Sequence, residues 1–399
     1  MDNTLSPESL ILDSNHINFN IIDKNTNFWL IRSKKGAFFD EFTNNKFIAV
    51  GWNEISTLDL KRIENAKNTT EKQKIELSLL QRFEKSYPNN KQARQSINKC
   101  YRFLYEIQSG DIVVIIGEKN GDIIFAKAND YYEESTFSTA NEIEVNTQID
   151  EGYHKDFNIK CPYNKRRNIE ILKKSNIKKL NPKLFKMLNS YHSLSKIDKN
   201  EYSTFILRSV YNCFVWEGKV NVNFNIENNN DIDAYDFSSF IYNIAELFKN
   251  VEEDVNINVK TSVNSPGDLL ISLESIGASV FDFISSPSTI MIIILAGVAV
   301  MGGKLGPIEL KSFTQFQKDI IKSKYIDEKE QQEVRKMTLE NDSIELDNEL
   351  KKLEILERKL NSEKSRKILD NISKASENLH INKDDISNII NLSNFKKDE

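Results

Sequence analysis

Residues 112–128 read IVVIIGEKNGDIIFAKA. Ile112 to Ile116 form an unbroken apolar run, residues 118–122 are a polar turn, and Ile123 to Ala128 return as a second apolar run. Two such runs around one short turn predict a hairpin of buried strands. Upstream, Phe28-Trp29-Leu30-Ile31-Arg32 and Phe47-Ile48-Ala49-Val50-Gly51-Trp52 read as two further strands. Between them and the hairpin, Leu77, Leu80 and Phe83, then Ile97, Tyr101 and Leu104, recur at three- and four-residue steps. That period predicts helix over about 58–107, broken at Pro88-Asn89-Asn90. Strand-like sequence continues to about residue 160. The first unit is therefore expected to be a small sheet interrupted by helices.

Beyond a polar stretch at 189–203, read as a linker, a second pattern begins. Thr204–Phe214 and Lys219–Ile226 read as strands, the latter alternating through Val220, Val222, Phe224 and Ile226. Residues 236–250 carry Phe240, Ile241, Ile244, Leu247 and Phe248 on one helical side, and strands at 256–263 and 269–273 follow. This β-β-α-β-β order fits a small α+β module over 204–275. From Ser285 to Gly303 there is no charged residue. Nineteen such residues lie at the short end of what spans a bilayer. The run is costly to leave in water, so it spans a membrane, dips into one, or packs as a buried or oligomerising helix. Leu339, Leu346, Leu353 and Leu360 fall at heptad spacing within a charged helical region over 306–370. The other heptad core position holds Ser343, Glu357 and Lys364, which argues against a long zipper. Residues 1–27 read as a polar leader and 371–399 as a tail.

The chain has 399 residues and a formal net charge of -5. Its mean hydropathy of -0.49 excludes a polytopic membrane protein but not one span. Cys100, Cys161 and Cys213 are far apart and odd in number, and the four histidines are scattered. Neither a disulfide framework nor a structural zinc site is expected, and no cofactor is implied. The charge is uneven. Residues 159–188 hold ten Lys/Arg against Glu170 alone, and residues 61–102 hold eleven against four acids. Such patches attract phosphate backbones, although a solvated helix face gives the same count.

Three stretches carry a resemblance. NTNFWLIRSKKGAFFDEFTNNKFIAVGWNEI, CYRFLYEIQSGDIVVI and PYNKRRNIEILKK occur in that order. Together they resemble PUA-like (EVE- and ASCH-related) domains, which open Mrr-type restriction proteins and other bacterial conflict-system proteins. The resemblance covers about residues 27–182. The third stretch lacks the histidine and tryptophan of the family's closing strand. The resemblance implies a PUA-like fold over 28–188 that binds DNA or RNA, with a modified base read in an aromatic pocket. Pocket walls of aromatic faces and edge hydrogen bonds repay the cost of unstacking a base. Trp29, Trp52, Phe38 and Phe39 are the candidate faces. Arg32, Asn53, Lys165, Arg166 and Arg167 are the candidate edge and phosphate contacts. Equally, Trp29 and Trp52 are plausible core residues of a small sheet.

The nuclease half of the Mrr-type proteins has no counterpart. Glu217-Gly218-Lys219 is the nearest approach to its motif, and it lacks a second carboxylate to share a metal. The expectation is a non-enzymatic, cytoplasmic α+β protein that senses nucleic acid. Its C-terminal half, with an apolar helix over 276–305, is expected to oligomerise and to associate with the inner membrane through 285–303. The alternative is a specificity subunit of a restriction-like system that docks a separate nuclease effector through 306–399.

Overall fold

A computed structural model describes residues 20–117, 121–152, 159–189, 192–227, 231–251, 255–262, 267–276, 283 and 286–301. Within 347–386 it describes all residues but 349, 357, 361 and 385. The fold is mixed α+β with two sheets. The chain divides into two units, Asp23–Val210 and a second made of Met1–Ile22 with Tyr211–Glu399. Strand β1 (Asn20–Ile21) belongs to the second unit.

The Asp23–Val210 unit is built on six strands. These are β2 (Phe28–Arg32), β3 (Phe47–Val50), β4 (Ile112–Gly117), β5 (Asp122–Glu133), β6 (Lys165–Asn176) and β7 (Leu194–Lys196). Their order across the sheet is β3-β6-β5-β4-β2-β7, with β2 and β4 parallel and every other pair antiparallel. The expected hairpin is β4 and β5, registered from Ile112 opposite Lys127 to Gly117 opposite Asp122. Every residue of β4 is buried, as a continuous apolar run in a central strand requires.

Helix α1 (Phe39–Asn44) follows β2. The region between β3 and β4 holds α2 (Thr57–Glu64), α3 (Thr69–Ser86) and α4 (Ala93–Tyr105), with the break at Pro88 falling between the last two. Ser56 caps α2 in a reciprocal pair with Asp59, which fixes where that helix starts. One apolar cluster joins the sheet to α1 and α4 through Trp29, Phe38, Phe42, Phe47 and Phe103. A second joins α2, α3 and α4 through Leu60, Ile63, Leu79, Phe83 and Ile97.

Several expectations change in this unit. Part of the stretch read as strand up to residue 160 is helix α5 (Thr139–Asp150), started by a Ser138–Asn141 capping box. Short α6 (Lys183–Leu188) follows β6. The stretch read as a linker at 189–203 contains β7, which closes the sheet edge beside β2. It also contains the start of α7 (Lys199–Val210). Thr204–Val210 is therefore helix, not strand. Tyr202, Ser203, Ile206 and Leu207 are buried at helical spacing, and a short apolar run does not distinguish the two periods by itself.

The second unit has five strands in the order β1-β8-β9-β11-β10. They are β1, β8 (Cys213–Trp216), β9 (Lys219–Ile226), β10 (Val255–Ser262) and β11 (Gly267–Ser275). The end of the expected leader is thus structural: Asn20 and Ile21 pair parallel with Phe214 and Val215. Helix α8 (Ala234–Val251) lies between β9 and β10, so the expected β-β-α-β-β order is present. Val220, Val222, Phe224 and Ile226 face Phe240, Ile244 and Leu247 of α8 in one core.

The uncharged run forms α9 (Pro287–Val300), begun by Ser286 as N-cap and Pro287 in its first turn. At about 1.5 Å per residue, its 14 residues reach roughly 21 Å, short of a hydrocarbon core of about 30 Å. All six residues from Ile292 to Gly297 are buried, and six residues pass through every direction around a helix. Apolarity all round is what such a position demands. No helix among the described residues is long and apolar enough to cross a membrane. Helix α10 (Glu363–Asn378) packs beside α8 and α9, and Ser376 Oγ donates to the Val300 carbonyl at 3.1 Å. Leu353 and Leu360 of the heptad series are buried in this same core, so they stabilise the unit itself. Leu339 and Leu346 lie outside the described residues.

Candidate functional site

Strand β6 opens with Lys165-Arg166-Arg167, which the charge count suggested as phosphate contacts. The structure buries them, at 0%, 9% and 5% exposure. The reason is topological. β6 runs between β3 and β5, so its first residues have neighbours on both sides. Buried cations need partners, and these find them in backbone carbonyls. Lys165 Nζ donates to the Trp52 and Ile55 carbonyls at 2.8 and 2.9 Å. Arg166 donates to the Tyr163 and Cys161 carbonyls at 2.8 and 2.9 Å, its guanidinium 4.4 Å from the Phe47 ring centre. Arg167 donates to the Phe103, Leu104 and Asn129 carbonyls, each at 2.9 Å. Phe103 and Leu104 end α4, so Arg167 neutralises that helix's negative end. Burial lowers the Arg167 pKa from its usual value, opposed by Tyr131, Asp111 and Asp130. The trio fastens two loops, the end of α4 and β5 to one strand and presents nothing to a phosphate.

The other candidates separate in the same way. Trp29 is fully buried and its Nε1 donates to Asp111 at 2.8 Å. Phe38 is buried edge-on to Tyr163, with ring centres 5.3 Å apart. Half-buried Phe39 packs on Gly117, where an added Cβ would meet its ring at 2.8 Å. Arg32 donates to the Leu188 carbonyl at 2.8 Å. Asn53 is used at both ends: its Nδ2 donates to the Pro162 carbonyl at 2.8 Å, and its Oδ1 accepts from the Asn164 amide at 3.0 Å. Glu217 and Gly218 form the β8–β9 turn, and Lys219 pairs with Glu274 at 3.0 Å. Among the described residues no group of three or more His, Cys, Asp or Glu converges as a metal site.

Trp52 differs from all of these. Its φ is +64°, in the left-handed region that a bulky side chain rarely adopts. Three bonds hold it there. Its N–H donates to Glu142 Oε1 at 2.5 Å, the Asn53 N–H donates to Glu142 Oε2 at 2.6 Å, and its carbonyl accepts from Lys165. Glu142 is buried on α5 and takes a third bond from the Tyr87 hydroxyl at 2.7 Å. Burial first, then the Glu142 charge and hydrogen bond, push the Tyr87 hydroxyl far above its usual pKa. Gly51 leaves room for the carboxylate, since an added Cβ would come within 2.6 Å of Glu142 Oε1.

The clamp turns the indole toward α4 and leaves it half-buried. Lys99 Nζ sits 5.5 Å from its ring centre, within cation–π range. Burial lowers the Lys99 pKa, with Cys100 acting in the opposite direction. Lys61, Arg62, Lys72, Lys91 and Arg94 are exposed on α2, α3, α4 and the α3–α4 turn. The basic charge of 61–102 is therefore presented, whereas that of 165–167 is not.

Sequence reasoning missed Glu142, Tyr87 and Lys99. Nothing local separates Glu142 from Glu144, and only the α5 capping box at Ser138 hinted that Glu142 starts a helix. No family model matches the chain, and no curated protein or solved structure matches it either.

Proposed function

We propose that the Asp23–Val210 unit binds nucleic acid, as its resemblance to PUA-like domains implies, with the exposed part of Trp52 as the stacking face. The observation that carries this reading is the strained Trp52 backbone. Strain of this kind costs about 1–3 kcal/mol and persists only where surrounding structure over-determines it. Here a buried carboxylate and a buried lysine hold the peptide in place, and what they hold is a half-exposed aromatic ring beside a cation. Base–aromatic stacking contributes about 1–3 kcal/mol per base. Phosphate attraction comes from α2, α3 and α4, not from β6. The whole protein is then a nucleic-acid sensor of the bacterial defence type. Its second unit carries the coupled response, and burial of α9 accounts for the apolar run without a membrane.

The test is binding of the full-length protein to plain and base-modified DNA and RNA at two salt concentrations. Trp52→Gly suits the left-handed backbone while removing the ring, and Lys99→Gln removes the cation. Each is expected to weaken binding at least about fivefold, in line with one lost stacking contact. Unchanged affinity in both variants refutes the assignment.

A further inference from the structure

The groove between α3 and α4 has a volume of about 530 Å³ and is unfilled by the described residues. Its floor is aliphatic, from Ile63, Leu80 and Ile97. Leu77 lines it and is 54% exposed. Helix α3 buries only Leu79 and Phe83, both in its second half. From Thr69 to Ser78 no side chain is buried. Ile75 packs half-buried against the α2–α3–α4 cluster, yet this half of the helix is lightly packed, and most helical stability in proteins comes from a packed face.

We propose that this arm is an interface between two copies of the chain, each α3 lying antiparallel in the groove of the other about a two-fold axis. Charge complementarity carries the choice of occupant. Lys72 and Glu76 stand one turn apart on the groove-lining face, and neither has an ion-pair partner among the described residues. A two-fold interface must be self-complementary. With the axis near Lys74, Lys72 of each copy faces Glu76 of the other, giving two equivalent pairs, while the Leu77 side chains leave water. A nucleic-acid strand is the less suited occupant. It would find Lys72 and Arg94 on the rim, but beside the acid Glu76 and over an aliphatic floor that a phosphate backbone does not use. Trp52 and Lys99 do not line this groove, but its Lys72 and Arg94 are shared with the basic surface proposed above for phosphate.

Sedimentation of the full-length chain between about 1 and 100 µM tests the proposal, a range suited to a small interface. A reversible dimer is expected. K72E and E76K alone each bring like charges together twice, and each is expected to raise the dissociation constant at least about tenfold. An equimolar mixture of K72E with E76K is expected to form heterodimers at the wild-type concentration, and the double variant K72E/E76K to self-associate like wild type. Lys72 is exposed and Glu76 is half-buried at the groove rim, and neither belongs to the buried core, so the fold is not at stake. A monomer throughout the range overturns the proposal. So does a dimer indifferent to both reversals. Loss of nucleic-acid binding in K72E without a change in mass assigns the groove to nucleic acid instead, and also overturns it.

Discussion

Replacing Glu142 by Gln tests whether the carboxylate is the clamp that shapes the Trp52 loop. The side chain keeps its size, so packing is constant and hydrogen bonding alone changes. Oε1 accepts one bond and Oε2 accepts two. An amide must place its NH2 at one of these ends, and the better choice turns it toward the Trp52 N–H. That bond is lost and two donors then face each other in a buried site, at about 1–3 kcal/mol. The two remaining bonds become neutral, and each weakens by about 1 kcal/mol. The sum is a loss of about 3–5 kcal/mol.

Urea unfolding followed by tryptophan emission measures it. In a Trp216→Phe background the signal comes from Trp29 and Trp52, both in the Asp23–Val210 unit. At a slope of about 2 kcal/mol per molar urea, the midpoint should fall by about 1.5–2.5 M. Tyr87→Phe removes one bond and orphans no backbone donor, so it should shift the midpoint by about 0.5–1 M. A shift below about 0.5 M for Glu142→Gln would refute the clamp, because it would mean the two amides find other partners at no cost.

Three further outcomes are expected. Arg167→Met should destabilise the same unit by about 2–4 kcal/mol and raise hydrogen exchange at the end of α4, since the Phe103 and Leu104 carbonyls lose their donor. Exchange unchanged in that turn would contradict it. Burial raises the Asp59 pKa, but hydrogen bonds from Arg82 and Ser56 outweigh it and hold it below its usual value. A depressed carboxyl contributes stability above its unfolded pKa near 3.9 and loses it as pH falls through the lower folded value. Wild type should therefore lose more stability than Asp59→Asn between pH 5 and about pH 2–3, as read from urea midpoints. Burial raises the Cys100 thiol to about 11 and the Cys213 thiol to about 12, and pushes Cys161 higher still. A thiol reagent at neutral pH should find none of the three reactive in the native protein and all three after denaturation; one fast native thiol would contradict the burial.

What could be read from the sequence was what local pattern determines. Residues 112–128 announce a hairpin because apolar runs around a polar turn have few other uses. Val220 to Ile226 announce a strand by strict alternation, although its Asn221 and Asn223 prove buried as well. What failed was whatever depends on a distant partner. Lys165, Arg166 and Arg167 look like a surface patch until β3 and β5 are known to flank them and carbonyl groups from two loops, the end of α4 and β5 are seen to converge on them. The run 285–303 states that it must leave water but not that α8 and α10 will enclose it. Tyr202 to Val210 is short enough to fit either period, and only its burial at four-residue steps decides for helix. At the candidate site, Trp52 was legible as an aromatic residue worth attention. Its left-handed backbone was not, because the residue that enforces it stands ninety positions away.

The pairing of Asn20 with Phe214 has a consequence for how the protein is made. The sequence of one unit is inserted within that of the other: Asn20 and Ile21 belong to a sheet whose next strand is specified only after Asp23–Val210 has been synthesised. Asn20 also donates a side-chain bond to the Cys213 carbonyl, across a separation of 193 residues. At about 5–20 residues per second, a ribosome imposes a wait of roughly 10–40 s between the two halves of that contact. During the wait the inserted unit can fold to completion and bring the two ends of its own sequence to fixed positions. Its folding then replaces a long closure search by a short one. A lesion such as Glu142→Gln would consequently delay assembly of a sheet in which it takes no part.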